Sequence, residues 1–220
     1  MMPSHHLDGA TLLSYSAGAL PEALAVVAAT HLEYCAVCRV RARNADRIGA
    51  ALMEQQRVPT PSDAARASML ARLDAELPVA AQTVPSALAA DHDPDRMANA
   101  LQPWFGTSLR ALRWRWVAPG VQRIRASGVK GGDLMLLRVA PGSMLPLHSH
   151  QGNELTVILD GAYDDMLGHF GPGDAADLDG QTTHQPVTAA GLPCICVAAT
   201  DAPLKFSGWV ARTLQPLFGF

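Results

Sequence analysis

The feature that most constrains this chain is the run THLEYCAVCR. It places a histidine and two cysteines, His31, Cys35 and Cys38, in an H-x3-C-x2-C pattern. On a helix these positions are i, i+4 and i+7, so the three side chains are expected to project from one face. An imidazole and two thiolates that converge supply three ligands of a tetrahedral zinc site. His5 and His6 are both candidates for the fourth ligand, and the spacing does not separate them.

The same spacing also fits an ordinary core-facing helix, because cysteine is among the most buried residue types. The metal interpretation is favoured because one eight-residue window holds a histidine and two cysteines, with further histidines just upstream. The chain has four cysteines in two close pairs, which is too few for a disulfide-stapled secreted scaffold. Closely spaced cysteines next to histidines are typical of metal ligation in a reducing compartment.

The first part of the chain has the pattern of about four helices. Asp8 suits the N-cap of a first short helix, and Pro21 suits the first turn of a second. A third helix runs from Cys35 to the stop at 58–61, and Ser62 or Asp63 begins the fourth. So few short helices give a thin core, which a metal ion or a partner would stabilise.

The predicted fold class is α+β, with a small zinc-binding helical bundle followed by an all-β barrel. Residues 1–78 form the bundle, 79–102 a linker rich in Ala, Pro and Asp, and 103–220 the barrel. The barrel is predicted from short strands separated by Gly, Pro and Asp turns, a pattern that also fits a sandwich. Trp114 and Trp116 alternate with arginines and are both predicted to face the core.

A second group of metal-ligand residue types lies in the strand-rich part. His148 and His150 are at i and i+2, and Glu154 has the same parity. All three therefore point to one side of the sheet unless a bulge intervenes. His184 follows near a later strand end. Three imidazoles and a carboxylate suit Zn, Fe, Mn, Ni or Cu, so the identity of the metal stays open.

Two smaller features have competing interpretations. Cys194 and Cys196 lie on one side of an apolar strand, and we interpret them as buried thiols rather than a redox pair, because such neighbours are poorly placed for an unstrained disulfide. Arg39, Arg43 and Arg47 recur at i, i+4, which fits a solvated helix face better than a basic docking surface.

Composition argues against nucleic-acid and membrane partners. The chain has 17 Lys and Arg against 20 Asp and Glu, a formal net charge of -3, so no bulk attraction to nucleic acid is expected. It shows no signal-peptide pattern and no apolar run of the ~18–20 residues that a membrane span needs. We therefore expect a soluble, cytoplasmic protein.

A specific motif surrounds the second group. Gly142, five residues, His148-x-His150, three residues, Glu154, six residues and Gly161 resemble the first motif of the cupin superfamily. The turn at 172–174 and His184 resemble the second motif, with Thr188 where an Asn is often found. The resemblance implies a cupin jelly roll that binds a divalent metal, zinc or another transition metal. It carries over four ligands: His148, His150, Glu154 and His184.

The whole chain resembles the ChrR-type zinc-binding anti-sigma factors, in the runs HHLDGATLLSYSAGAL, ATHLEYCAVCR and CICVAATDAPLKF. The resemblance implies a non-enzymatic negative regulator of transcription. Its helical domain is expected to bind zinc and to sequester an extracytoplasmic-function (ECF) sigma factor in a 1:1 complex. Release is expected in response to oxidants such as singlet oxygen, through the cupin domain. The implied zinc ligands are His6, His31, Cys35 and Cys38.

The alternative is a metalloenzyme, a cupin dioxygenase or isomerase with a zinc-binding appendage. Four protein ligands leave exchangeable positions on a six-coordinate metal, where a substrate can bind. Near this group the sequence offers only Tyr163 and Asp164-Asp165 as further acid-base residues.

Overall fold

A computed structural model describes residues 2–57, 59–74 and 95–206 of the 220-residue chain. By its internal contacts the chain divides into a larger compact unit, 1–49 with 95–220, and a smaller one, 50–94. His92 and most of the predicted linker lie outside the described residues. The predicted domain boundaries, 1–78, 79–102 and 103–220, therefore stay predictions.

Three helices open the chain: α1 (Gly9–Ser16), α2 (Glu22–Tyr34) and α3 (Ala36–Glu54). The Asp8 carboxylate accepts the Thr11 N–H at 2.6 Å and caps α1, and Pro21 directly precedes α2. Both predicted helix starts are confirmed.

The chain breaks between α2 and α3 at Cys35, whose φ of -102° and ψ of 105° are extended. The expectation that His31, Cys35 and Cys38 share one continuous helix face is therefore wrong. His31 lies in the last turn of α2 and Cys38 in the first turn of α3. The Cys35 thiol accepts the Cys38 N–H at 3.4 Å, so it occupies a capping position at the start of α3.

In the smaller unit the structure describes the end of α3 and one further helix, α4 (Asp63–Asp74). The Ser62 hydroxyl accepts the Ala65 N–H at 3.2 Å, which confirms the predicted start of this helix. All described side chains of α4 are exposed, including the large apolar Met69 and Leu73.

A 3-10 helix (Asn99–Leu101) and α5 (Gln102–Phe105) lead into the β-rich part. Within the described residues it has twelve strands: β1 (Arg115–Ala118), β2 (Val121–Arg125), β3 (Asp133–Val139), β4 (His148–His150), β5 (Glu154–Asp160), β6 (Tyr163–Asp165), β7 (Gly168–Phe170), β8 (Ala175–Leu178), β9 (Thr183–His184), β10 (Val187–Thr188), β11 (Cys194–Thr200) and β12 (Leu204–Phe206). They form a six-stranded sheet in the order β1-β2-β3-β11-β5-β8 and two three-stranded sheets, β10-β6-β7 and β12-β4-β9. All pairings are antiparallel. Helices followed by this β-domain confirm the predicted α+β class.

The helices do not build a core of their own. Leu24 and Val27 of α2 share one buried cluster with Leu136, Val157 and Val197 of the six-stranded sheet. Successive residues of β5 and β11 are buried, so these central strands are covered on both faces, which explains their nearly continuous apolar sequences. The thin helical core predicted from the sequence is completed by the sheet.

Hydrogen bonds hold one end of α2 to the β-rich part and the other end to the 3-10 helix that leads into it. Near its N-terminus the Glu22 carboxylate accepts the Lys130 N–H at 2.7 Å. Near its C-terminus the Glu33 carboxylate accepts the N–H groups of Asn99 at 2.9 Å and Ala100 at 2.7 Å, which caps the 3-10 helix. The position of α2 on the sheet is thus set by hydrogen bonds as well as by apolar contact.

The core prediction for Trp116 is wrong. Trp114 packs against the core cluster, but Trp116 is 68% exposed. The reason is its place on β1, the edge strand, whereas α2 contacts β3, β5 and β11. None of the described helices is both long and apolar enough to cross a membrane.

Candidate metal centres

Two clusters of metal-ligand side chains form among the described residues, each with its candidate ligand atoms within 4.8 Å of one another. The first cluster joins the N-terminal segment to the α2–α3 junction, and the second lies in the β-rich part. The structure brings together all eight residues predicted from the sequence. The first cluster is His6, His31, Cys35 and Cys38, and the second is His148, His150, Glu154 and His184.

His31 has the geometry of a metal ligand. Its Nδ1 lies 2.8 Å from the carbonyl oxygen of Gly173, which can only accept, so Nδ1 carries the proton and Nε2 keeps a lone pair. That Nε2 is buried and has no hydrogen-bond partner among the described residues. Burial lowers the pKa of His31, which favours the neutral, metal-binding form. A cation would satisfy this otherwise unpartnered atom.

The two thiols complete a donor set that suits zinc. The Cys35 sulfur lies 3.2 Å from Nδ1 of His6, so these two ligands meet directly. Burial raises the pKa of Cys38 to about 11, although the Leu7 backbone N–H opposes the shift. A bound cation favours the thiolate over the thiol and would displace the proton of the Cys38 thiol. Two nitrogens and two sulfurs match a closed tetrahedral zinc site.

The structure shows which of the two N-terminal histidines, His5 or His6, joins the first cluster. The His5 ring stacks on Phe170 at 4.0 Å, and its Nε2 lies 3.0 Å from the carbonyl oxygen of His169. His5 therefore packs against β7, and His6 is the histidine that joins the first cluster.

The second cluster presents three imidazole nitrogens to one point. Nδ1 of His148 lies 2.8 Å from the Pro146 carbonyl oxygen, and Nδ1 of His184 lies 3.0 Å from the Asp165 carboxylate. Both acceptors place the proton on Nδ1. Nε2 of His184 then lies 3.1 Å from Nε2 of His148 and 3.4 Å from Nε2 of His150. Lone pairs that face each other in this way fit a shared cation.

The electrostatics of the second cluster also suit a cation. Burial lowers the pKa of His148 and of His150 to about 4, so both rings are neutral at pH 7. Burial raises the pKa of Glu154 to about 7, although a hydrogen bond from the Thr156 hydroxyl opposes the shift. Nδ1 of His150 lies 3.3 Å from the Glu154 carboxylate without hydrogen-bond geometry. A metal ion would favour the charged carboxylate and the neutral rings.

Asp165 is the residue that the sequence did not assign to the cluster. Its side chain is 0% exposed and accepts from His184, so it orients that ring. Asp164, its neighbour, is exposed and pairs with the exposed His169 at 2.8 Å, as expected for a surface histidine. Strand parity is the sequence feature that could have identified Asp165, since Tyr163 and Asp165 are two residues apart on β6 and share its inner face.

A cavity of about 160 Å³ extends from the second cluster into the β-rich part. Its lining is mainly apolar and includes Tyr163, Thr188, Cys194 and Cys196. Both cysteines are free and buried, as predicted. Burial raises the pKa of Cys194 to about 12 and that of Cys196 well above its usual value, so both are thiols at neutral pH.

The arginines of α3 do not form a separate basic site. Arg39 donates to the carbonyl oxygens of Leu32 at 2.7 Å and Glu33 at 3.0 Å, which caps the end of α2. Arg43 and Arg47 are exposed. This agrees with the solvated-face interpretation.

Comparisons with known proteins extend over almost the whole chain. The family model "ChrR Cupin-like domain" matches residues 105–202. The anti-sigma-E factor ChrR of Cereibacter sphaeroides is 39% identical over 216 residues, which cover 97% of this chain and 97% of that protein. The crystal structure of Rhodobacter sphaeroides SigE in complex with the anti-sigma ChrR matches with 36% identity and a TM-score of 0.75. That match covers 91% of this chain and 100% of the compared one.

Proposed function

We propose that this chain, which belongs to the ChrR family of anti-sigma factors, sequesters an ECF sigma factor and thereby represses transcription. One observation carries the proposal: the chain is similar along almost its full length to a protein crystallised in complex with SigE. The output of such a protein is a protein–protein association, so its role is that of a regulator rather than an enzyme. A partner that works with RNA polymerase places the proposed activity in the cytoplasm.

Exposed apolar residues on the helices support a protein partner. Val37, Val40 and Ile48 lie along one face of α3 and are 39%, 48% and 59% exposed. In the smaller unit, Met69 and Leu73 of α4 are also exposed. Helices of a partner are suited to cover such faces, since an amphipathic helix binds through apolar residues at this spacing.

The proposed metal of the first cluster is zinc, held by His6, His31, Cys35 and Cys38. Zinc supplies a structural cross-link there, because four protein ligands close a tetrahedral site. Its ligands come from the N-terminal segment, the end of α2 and the start of α3. Holding these segments together orients the exposed face of α3.

The second cluster is proposed to hold a divalent transition metal through His148, His150, Glu154 and His184. We include in the proposal that this part of the chain governs release of the sigma factor under oxidants such as singlet oxygen. The family resemblance supports this step, and the cavity that reaches the cluster offers a route for a small oxidant.

Co-expression with the ECF sigma factor encoded nearest this gene tests the proposal. We expect a 1:1 complex that contains zinc, and we expect Cys35→Ser with Cys38→Ser to abolish it. Cys194→Ser with Cys196→Ser is the matched control, because it removes the same number of buried thiols away from the first cluster. A folded, metal-loaded wild-type protein that binds no sigma factor would refute the regulatory function.

The second candidate function is the metalloenzyme, and the cavity beside the second cluster is the observation that favours it. Turnover of a 1,3-diketone, thiol or keto acid by the metal-loaded protein, lost in His148→Ala, would support this alternative. If the protein binds the sigma factor and turns over none of these substrates, the result supports the regulatory function.

A further inference from the structure

We infer that the turn at residues 171–174, in the β-rich part of the chain, positions two ligands of the first metal cluster and is a working part of that metal site. The inference rests on the proposed zinc binding and goes beyond it, because the predicted helical domain, residues 1–78, was expected to hold the metal alone. The residues that act are Gly173, through its backbone, and Asp174, through its carboxylate.

Gly173 fixes the orientation of His31. Its carbonyl oxygen accepts the Nδ1–H of His31 at 2.8 Å and so selects the tautomer whose Nε2 faces the cluster. The turn lies close against the N-terminal segment and the end of α2: a Cβ at Gly173 would be 3.0 Å from the side chains of Pro3 and Tyr34, and its φ of +87° disfavours any other residue. The carbonyl is therefore held firmly at the position that the imidazole requires.

Asp174 fixes the segment that carries His6. Its carboxylate accepts the backbone N–H groups of Ser4 at 2.6 Å and His5 at 2.9 Å, the two residues directly before the ligand. It also accepts the Gly171 N–H at 2.8 Å, which holds the turn together. Burial alone would raise the pKa of Asp174, but these hydrogen bonds outweigh it and lower the pKa, so the carboxylate is charged at neutral pH.

Strand β5 holds the turn in place. The Gly173 N–H donates to the Ile158 carbonyl oxygen at 2.8 Å, and the Ile158 N–H donates to that of Asp174 at 3.1 Å. The turn thus belongs to the rigid sheet, whereas His6 belongs to an N-terminal segment without regular secondary structure. Without these contacts, binding a metal would require ordering that segment first, which costs conformational entropy.

Groups that orient metal ligands typically change metal affinity by about 10- to 100-fold when they are removed. We therefore expect Asp174→Asn to weaken metal binding at the first cluster by about that factor, because a neutral amide accepts these hydrogen bonds less strongly than a carboxylate. The second cluster should keep its affinity.

Cobalt(II) loaded into the full-length protein gives a readout for the first cluster. A sulfur-to-cobalt charge-transfer band arises where thiolates bind the ion, which only the first cluster provides among the two. The band is followed while a competing chelator is added, and total bound cobalt is measured in parallel. We expect Asp174→Asn to lose the band at about 10- to 100-fold lower chelator concentration than the wild type.

Two further variants separate positioning from loss of folding. Ser4→Pro removes one of the two donated N–H groups, together with the Ser4 hydroxyl that also donates to Asp174, without touching the sheet. It should weaken the first cluster by up to about tenfold. Asp179→Asn is the matched control, since Asp179 accepts from Gln181 and Thr182 within its own exposed turn. It should leave the band unchanged.

The outcomes distinguish this inference from the proposed function. Unchanged chelator sensitivity in a folded Asp174→Asn protein would overturn the inference and leave zinc binding intact. A wild-type protein that never develops the band would overturn the proposed first metal site and this inference with it. Selective loss at the first cluster in both Asp174→Asn and Ser4→Pro, with cobalt retained at the second, would establish the turn as a positioning element.

Discussion

Replacing Asp165 with asparagine should weaken metal binding at the second cluster. The Asp165 carboxylate is fully buried, and it accepts the Nδ1–H of His184 at 3.0 Å. This contact fixes the tautomer of the ring and makes Nε2 a stronger electron donor. Asparagine has nearly the same shape and retains one oxygen that accepts the proton, so the fold should persist while the negative charge is lost.

The expected loss follows from that contact. Removing the group that orients a ligating histidine typically costs about 10- to 100-fold in metal affinity, or about 1.4–2.8 kcal/mol. The effect should be near the upper end, because the carboxylate is shielded from water and its interaction is not screened. The first cluster shares no residue with this contact and should be unaffected.

Asp164→Asn is the matched control, the same substitution one residue earlier. Asp164 is 59% exposed and pairs with an exposed histidine, and such pairs contribute about 0–1 kcal/mol to stability. With cobalt(II) as the probe metal, competition with a chromophoric chelator measures the total loss of bound metal, and the charge-transfer band identifies the part held by the first cluster. Equal affinities of the second cluster in the two variants would refute the role of Asp165.

Three further predictions concern pH and packing. Because the pKa of Cys38 is raised to about 11, this thiol stays protonated below that pH. Zinc affinity at the first cluster should therefore fall at least about tenfold per pH unit between pH 9 and pH 7. If the chelator concentration that removes half of the zinc did not change with pH, this prediction would be contradicted. Gly161→Ala should destabilise the fold by more than about 1 kcal/mol in a denaturant titration, since the residue has φ +70° and its Cβ would clash with a backbone carbonyl. Gly49→Ala on exposed α3 should instead be neutral or stabilising by up to about 1 kcal/mol. Leu136→Ala, at a position that is 0% exposed, should lower the free energy of unfolding by about 2–5 kcal/mol. Trp116→Ser should change it by less than about 0.5 kcal/mol, and a larger loss would show that the edge-strand assignment is wrong.

Local chemistry made much of this molecule predictable from its sequence. Ligand-type residues at short spacing identified both clusters, and Asp8 identified a helix start through its own backbone contacts. The helix boundary near Cys35 was predicted, but the extended backbone of Cys35 itself was not, because the run around it contains no Gly or Pro that would break a helix.

Contacts between distant parts of the chain account for the rest. The Gly173 carbonyl and His31 are separated by 142 positions, and no local pattern links them. Asp164 and Asp165 are the same residue type side by side, and only the three-dimensional contacts show that Asp165 is buried against His184 while Asp164 is exposed. Trp116 lies in the alternating pattern of a half-buried strand, which predicted that it is buried. It is exposed because α2 does not extend over its strand, and the sequence does not show how far α2 reaches across the sheet.

The burial of all four cysteines makes the chain its own reporter of local opening. Alkylating reagents react with an accessible thiolate, so a buried cysteine is modified mainly when its surroundings open. One pair lies at the junction of α2 and α3, and the other lies on β11. In the metal-free protein, mass spectrometry of alkylated peptides would therefore give separate opening rates for the two regions around these pairs, from a single sample and without an added label.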